Sequence, residues 1–299
     1  DPGLAMLLAP VIRLTGSKIA AWLVTMGCLL AALSLYYSLL RRHSATDQWE
    51  AVLLILALPL VYPTQVYFSG FVLTESLFMA LGLAATLLFL NGRTVAAYAM
   101  IGLMALVRAP GILLAPALFC ADWLSRRERF PRGGRLMAST LALLPPLIWA
   151  TVTRSIWHET TFSIHRPQFG LPFSGFAGLV EVGTVRACYV LAAVSFFIAS
   201  TIRLVTEAHR AGWRSPFLNA ASLFCSGFLV FHLCLRTLYY VDRTIYTFNY
   251  QDRYYVGLLP FALYAWRGVL KPWVIATGAV VSIVLSVWWG HNYFLARAG

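Results

Sequence analysis

Charged residues are scarce in this 299-residue chain: they make up 11% of it, whereas hydrophobic residues make up 60%. A soluble globule of this size needs more polar surface than this composition supplies. The apolar residues also form continuous stretches of about 20 residues, long enough to cross a hydrocarbon core as helices. They lack the in-and-out alternation that membrane-barrel strands show. The composition therefore predicts an all-α, polytopic transmembrane helical bundle.

Acidic residues and lysines are few as well, since 11 Asp and Glu accompany 23 Lys and Arg, and two of those are lysine. The formal net charge of +12 would suit a nucleic-acid-binding protein, but the basic residues fall in short loops between apolar segments. The densest group comprises Arg126, Arg127, Arg129, Arg132 and Arg135. Such loops are typical of the cytoplasmic side of membrane proteins, and no basic groove with interleaved aromatics accompanies them. We therefore expect no nucleic-acid partner.

Familiar metal and nucleotide motifs are missing. The five cysteines lie within apolar stretches without the CxxC or Cys/His spacing of a metal site, and we expect them to be small core residues. The segment HETTFSIH, from His158 to His165, is not a zincin HExxH, because its histidines are too far apart to share a helical face. GxSxG, Walker A and GxGxxG contexts are also absent. The sequence indicates no cofactor and no metal site.

The apolar segments and their basic flanks predict a topology. If the arginine-rich loops are cytoplasmic, successive segments alternate in direction without a conflict. We expect about nine transmembrane helices, including residues 73–90, 94–107 and 255–266, and an interfacial helix over residues 1–16. Pro110 is expected to turn the chain at the outer surface after Arg108.

This topology gives one membrane domain over residues 1–299, with extracytoplasmic loops at residues 154–184 and 241–254. Both termini lie outside. Because no initiator Met and no signal-like region opens the chain, we expect at least one further helix before Asp1 in the natural protein.

Ionisable residues at helix depth are unfavourable in a membrane unless they are paired or hydrated, so they point to functional sites. Glu75 opens a helix in which Thr74 is expected to act as N-cap, while the carboxylate faces the positive end of the helix dipole. Two interpretations stay open. The pattern is either a capped helix start or a carboxylate at the mouth of an outer cavity, where it orients an acceptor hydroxyl or pairs with Arg108.

Three arginines, Arg236, Arg243 and Arg253, flank the second outer loop. Guanidinium groups bind phosphate oxygens in a bidentate manner, so these residues are candidates for a lipid-phosphate clamp. The alternative is that they snorkel to the interface within an aromatic belt. Further candidates for a donor or acceptor pocket are His165, Arg166, Asp252 and Tyr254.

Several segments resemble, in order, the GT-C superfamily. These are polyprenyl-phosphate-sugar-dependent glycosyltransferases, and they include the bacterial protein O-mannosyltransferase-like enzymes and the GPI mannosyltransferases. The segments are DPGLAMLLAP at residues 1–10, YPT at 62–64, LTESLF at 73–78, ALVRAPGILL at 105–114, and RYY at 253–255 before LP at 259–260.

The resemblance implies that a membrane-embedded polyprenyl phosphate sugar enters an outward-facing cavity and gives its sugar to an acceptor hydroxyl. It implies catalytic carboxylates at Asp1 and Glu75, and a phosphate site formed by Arg253, Arg236, Arg243 and Arg108. Such enzymes carry an acidic residue in the first outer loop; here that loop is represented only by Asp1, at its expected end. Some members of the superfamily use a divalent metal, although arginines can supply the charge instead.

The implied partners are the lipid-linked donor, membrane lipids, and a glycan, lipid or protein acceptor. The implied location is a bacterial cytoplasmic membrane, with the site facing outside. A lipid or solute transporter is the main alternative, and a structural membrane subunit is another. Transporters often contain inverted repeats with paired helices broken by Gly or Pro, and no such pairing occurs here. An enzyme of this kind should have one outer cavity, whereas a transporter needs a path to both sides.

Overall fold

The computed structural model describes residues 2–16, 18–44, 46–61, 74–125, 132–157, 184–235 and 252–298. Within these ranges the regular secondary structure is all helical, which confirms the all-α part of the predicted fold class. The α-helices are α1 Pro2–Thr15, α2 Lys18–His43, α3 Gln48–Leu60, α4 Glu75–Leu90, α5 Thr94–Val107, α6 Leu114–Leu124, α7 Arg132–Trp157, α8 Thr184–Arg210, α9 Pro216–Leu235, α10 Leu259–Ala265 and α11 Pro272–Ala298. Two 3₁₀ helices are η1 Ala109–Leu113 and η2 Asp252–Leu258.

Two of these helices are long and apolar enough to cross a membrane, over Ile19–His43 in α2 and Leu191–Arg210 in α8. In the described ranges the other apolar helices are shorter, and ten α-helices follow α1. The bundle of about nine transmembrane helices stays a prediction. The bounds of α4 and α5 agree closely with the predicted ranges 73–90 and 94–107. The predicted helix over residues 255–266 is present as one apolar helical segment from Tyr255 to Ala265. Its type changes along the way: residues up to Leu258 belong to η2, and α10 begins at Leu259, with Pro260, which has no backbone N–H, in its first turn.

Helices α4 and α5 form an antiparallel hairpin around Asn91 and Gly92. Gly92 has a φ of 80°, its N–H donates to the carbonyl of Phe89, and the N–H of Arg93 donates to the carbonyl of Leu88. These two bonds form a Schellman motif, which satisfies the last carbonyls of α4. Because α4 has 16 residues and α5 has 14, both are about 21–24 Å long, and the start of α4 meets the end of α5.

The opposite end of the bundle collects residues from several of the loops that were predicted to be cytoplasmic. His43 Nε2 lies 3.1 Å from Asn91 Oδ1, which joins the last residues of α2 to the turn after α4. Arg267, after α10, forms an ion pair with Glu207 near the end of α8, with Nη2 and Oε2 2.6 Å apart. Asn219 at the start of α9 donates to Ser125 after α6, at 3.0 Å. We name this the basic end, and its composition agrees with the predicted alternation of helix direction.

An aromatic cluster formed by Phe78, Phe197, Phe224, Phe228 and Tyr255 fills the centre of the bundle. It joins α4, α8, α9 and η2. Tyr255 stacks on Phe197 at a centroid distance of 5.1 Å, and Phe228 lies 6.5 Å from Phe78 and 5.7 Å from Phe224. Offset and edge-on ring pairs of this kind add to the stabilisation from apolar burial. The cluster therefore fixes η2 against helices that are distant in sequence.

Helix α7 crosses α5 at unusually short range. A Cβ atom added to Gly102 would lie 2.5 Å from the carbonyl oxygen of Leu141, which faces the ring of Pro145 and cannot bond to a proline nitrogen. Only glycine allows this contact. The crossing fixes α5, and with it the residue that follows α5.

Large apolar side chains cover the outward faces of α2, α7 and α11. Leu147 of α7 is 59% exposed and Val287 of α11 is 67% exposed. The exposed set also includes Ile19, Leu23, Leu30, Leu143, Leu144, Ile148, Val280, Val281, Ile283 and Val284. Exposed apolar surface on this scale is rare on soluble monomers.

Candidate functional site

Glu75 and Arg108 form a buried ion pair at the end of the α4–α5 hairpin. Nη2 of Arg108 lies 2.5 Å from Oε1 of Glu75, and the two side chains are 6% and 4% exposed. A buried carboxylate and guanidinium are stable together because each compensates the charge that the other brings out of water. Of the interpretations left open for Glu75, the structure shows the pairing with Arg108.

The backbone around Arg108 is held between two helices of different type. Arg108 is extended, with φ −153° and ψ 127°, and its N–H donates to the carbonyl of Met104 at 2.9 Å. Its own carbonyl accepts from Gly111 at 2.9 Å. A Cβ atom on Gly111 would lie 2.8 Å from Met104, so glycine permits the tight turn into η1. The predicted turn at Pro110 is present.

Thr74 has a different role from the predicted one. Its backbone is helical, with φ −77° and ψ −14°, and its side chain makes no capping hydrogen bond. Instead, Oγ1 of Thr74 accepts from Nε of Arg108 at 2.9 Å. A buried guanidinium needs acceptors more than a helix end needs a cap. Thr74 and Glu75 therefore bind two different nitrogens of the same arginine.

The 3₁₀ helix η2 lies against the first turn of α4. The N–H of Phe78 donates to the carbonyl of Thr74, so Phe78 belongs to the turn that carries Glu75. A Cβ atom added to Gly257 of η2 would lie 2.3 Å from Cε1 and 2.5 Å from Cδ1 of Phe78. Backbone and ring are thus in direct contact, and η2 begins with Asp252 and Arg253.

The predicted site residues divide into three groups. The structure brings Glu75 and Arg108 together. It places the backbones of Asp252, Arg253 and Tyr254 in the first residues of η2, which packs on α4. The remaining predicted residues lie outside the described residues; they are Asp1, His165, Arg166, Arg236 and Arg243.

Phe78 and Gly257, which form the contact between α4 and η2, were not predicted from the sequence. Phe78 reads there as an ordinary apolar residue of α4, and Gly257 as a glycine in a predicted helix. A glycine inside an apolar helical pattern signals close backbone approach only weakly, and it gives no indication of the partner. Within the described ranges, no group of three His, Cys, Asp or Glu side chains is placed to hold a metal ion.

Chemically, the arrangement provides a fixed, charged pair at one end of the bundle, beside a short helix that begins with an acidic and a basic residue.

Comparisons with protein-family models, with curated proteins and with solved structures found no match for this chain.

Proposed function

We propose that this protein is a multi-pass membrane glycosyltransferase that moves a sugar from a polyprenyl-phosphate donor to an acceptor hydroxyl on the extracytoplasmic face. The observation that carries the proposal is the buried Arg108–Glu75 pair, next to the helix that begins with Asp252 and Arg253. Glu75, Arg108 and Arg253 come from three of the segments that resemble the GT-C superfamily. These segments are far apart in sequence, and η2, which contains Arg253, packs against α4, which begins with Glu75.

The exposed apolar faces of α2, α7 and α11 support the membrane part of the proposal. Two helices are long enough to span a bilayer, and several more are apolar. Side chains such as Leu147 and Val287 would be poorly solvated in water but would contact lipid tails favourably. The pair then lies at the end of the bundle away from the arginine-rich loops, which is the outer end by the positive-inside rule.

The chemistry of the proposal is a single displacement. The bond between the sugar C1 and the phosphate oxygen breaks, a bond forms between C1 and the acceptor oxygen, and polyprenyl phosphate leaves. The acceptor proton passes to a carboxylate, for which Asp1 and Glu75 are the candidates. Arginines stabilise the negative charge that develops on the leaving phosphate.

Within this scheme, Arg108 and Arg253 have different tasks. Arg108 is buried and directs two of its nitrogens at Glu75 and Thr74, so we propose that it mainly orients Glu75. Arg253, with Arg236 or Arg243 as second contact, would bind the phosphate. The side chains of Asp252, Tyr254, His165 and Arg166 would line the donor or acceptor pocket.

The test is sugar transfer from a radiolabelled polyprenyl-phosphate sugar by purified, monodisperse protein in detergent, with release of polyprenyl phosphate as a second readout. Arg253→Lys keeps the charge but loses the planar fork, so it should abolish most of the transfer. Arg210→Lys, an exposed residue at the basic end, is the matched control and should retain full activity.

Full activity of Arg253→Lys would rule out the phosphate clamp at this residue. Failure of the folded native protein to release polyprenyl phosphate from any such donor would rule out the glycosyltransferase. Movement of unmodified donor between leaflets of a vesicle, without sugar transfer, would favour a transporter instead.

A further inference from the structure

We propose that Gly257 is a positioning residue of this site. Because it has no side chain, η2 lies directly on the ring of Phe78, and this contact sets the distance between the Arg253 end of η2 and the Arg108–Glu75 pair. The inference rests on the proposed function and adds to it a residue that neither touches substrate nor carries a charge.

The backbone at Gly257 lies closer to Phe78 than any residue with a side chain would allow. A methyl group at Gly257 would lie 2.3 Å from Phe78, where an ordinary carbon contact is about 3.5–4.0 Å. Either the ring or η2 would have to move by about 1–2 Å. A flexible surface side chain could yield, but Phe78 is buried.

The aromatic cluster holds both Phe78 and η2 in place. Phe78 packs edge-on against Phe228 at 6.5 Å, and Phe228 in turn packs against Phe224 and Tyr255. The ring belongs to the same aromatic cluster as Tyr255 of η2, and interiors packed at this density deform little. The added methyl group would therefore change the position of η2 relative to Phe78, whichever of the two gives way.

A shift of η2 relative to Phe78 would change the geometry of the site. Arg253 precedes Gly257 by four residues, which is about 8 Å along a 3₁₀ helix. Glu75 precedes Phe78 by three residues, so both lie in the first turn of α4. The Gly257–Phe78 contact thus joins the two parts of the site, and a shift of η2 relative to Phe78 moves Arg253 relative to Glu75.

The experiment compares Gly257→Ala, Phe78→Val and the double variant in the transfer assay and in thermal unfolding. A misplacement of about 1 Å can lower a rate about 100-fold, so Gly257→Ala should lose most of the transfer. Phe78→Val removes the two ring carbons nearest to Gly257, so the double variant should regain both activity and melting temperature relative to Gly257→Ala. Gly227→Ala is the matched control, because its Cβ atom meets no heavy atom within 4 Å and α9 also contributes to the cluster.

Normal transfer by Gly257→Ala, in a preparation where the native protein is active, would overturn the inference. So would loss of activity without any rescue by Phe78→Val. If the native protein transfers no sugar, the proposed function fails, and the unfolding data then decide: rescue of the melting temperature supports Gly257 as the residue that seats η2, and absence of rescue overturns it.

Discussion

Glu75 and Arg108 occupy equivalent positions on the two arms of the α4–α5 hairpin. Glu75 precedes Asn91 by 16 residues, and Arg108 follows Gly92 by the same number. The turn at Asn91 and Gly92 folds the arms together, so the two charges meet at 2.5 Å. Formation of the α4–α5 hairpin is therefore enough to bring the two charged side chains together.

Breaking this pair should destabilise the protein strongly. Glu75→Leu removes the carboxylate that pairs with the buried guanidinium, and Arg108→Met removes the guanidinium that pairs with the buried carboxylate. Each should lower the free energy of unfolding by about 3–5 kcal/mol. The double variant should be less destabilised than the sum of the single ones, because neither charge remains. Thermal unfolding in detergent, followed by tryptophan fluorescence, measures all three. Strictly additive effects would contradict a direct pair.

Thr74 should matter through the hydrogen bond that its hydroxyl accepts from Arg108. Thr74→Val removes the acceptor for Nε of Arg108 and should destabilise by about 1.5–3 kcal/mol, the range for hydrogen bonds to charged groups. Thr74→Ser keeps the oxygen and should behave like the native protein. In an Arg108→Met background, Thr74→Val should have a smaller effect than in the native protein, because the hydrogen bond between the two residues is already lost. A full effect in that background would instead indicate a helix cap.

Glu207 provides the contrast at the basic end. It bridges Arg203, at 3.3 Å, and Arg267, at 2.6 Å, but these side chains are 20–36% exposed. Partly exposed pairs contribute little, so Glu207→Gln should lower the unfolding free energy by only about 0–1 kcal/mol. Added salt should reduce even that difference, because exposed charges are screened. An effect as large as that of Glu75→Leu would show that this end is drier than its exposure indicates.

If the protein spans the membrane as proposed, the side on which each loop lies can be measured by labelling single cysteines. Cysteines at Arg127 and Arg210 should react with an impermeant reagent only from the cytoplasm, and those at His165 and Asn249 only from outside. The background must lack the native cysteines, of which Cys188 is exposed. Reversal of either pair would break the alternating topology.

The sequence predicted the local structure well and the contacts between distant segments poorly. The bounds of α4 and α5 follow from apolar runs ended by Asn91-Gly92 and by Pro110, which are local signals. The role of Thr74 was wrong because the group that recruits it, Arg108, is 34 residues away. The change from η2 to α10 at Leu259 was not predicted, since an apolar run shows no difference between a 3₁₀ helix and an α-helix.

Within the site, the sequence identified the residues with charges and missed those that act by shape. Glu75 and Arg108 stand out in apolar surroundings, because a lone charge there requires a partner. The contact of Gly257 with Phe78 has no such marker. It depends on where η2 crosses α4, which is determined by the packing of rings from four elements.

The short turn at Asn91 and Gly92 also has a consequence for biosynthesis. For the membrane protein proposed above, a helix that entered lipid with Glu75 or Arg108 alone would carry an unpaired charge, which is unfavourable at helix depth. A ribosome delivers α4 and α5 in immediate succession, and the turn between them consists of Asn91, Gly92 and Arg93 only. We expect the insertion machinery to release the two helices into the bilayer as one neutralised hairpin, with Arg93 held on the cytoplasmic side.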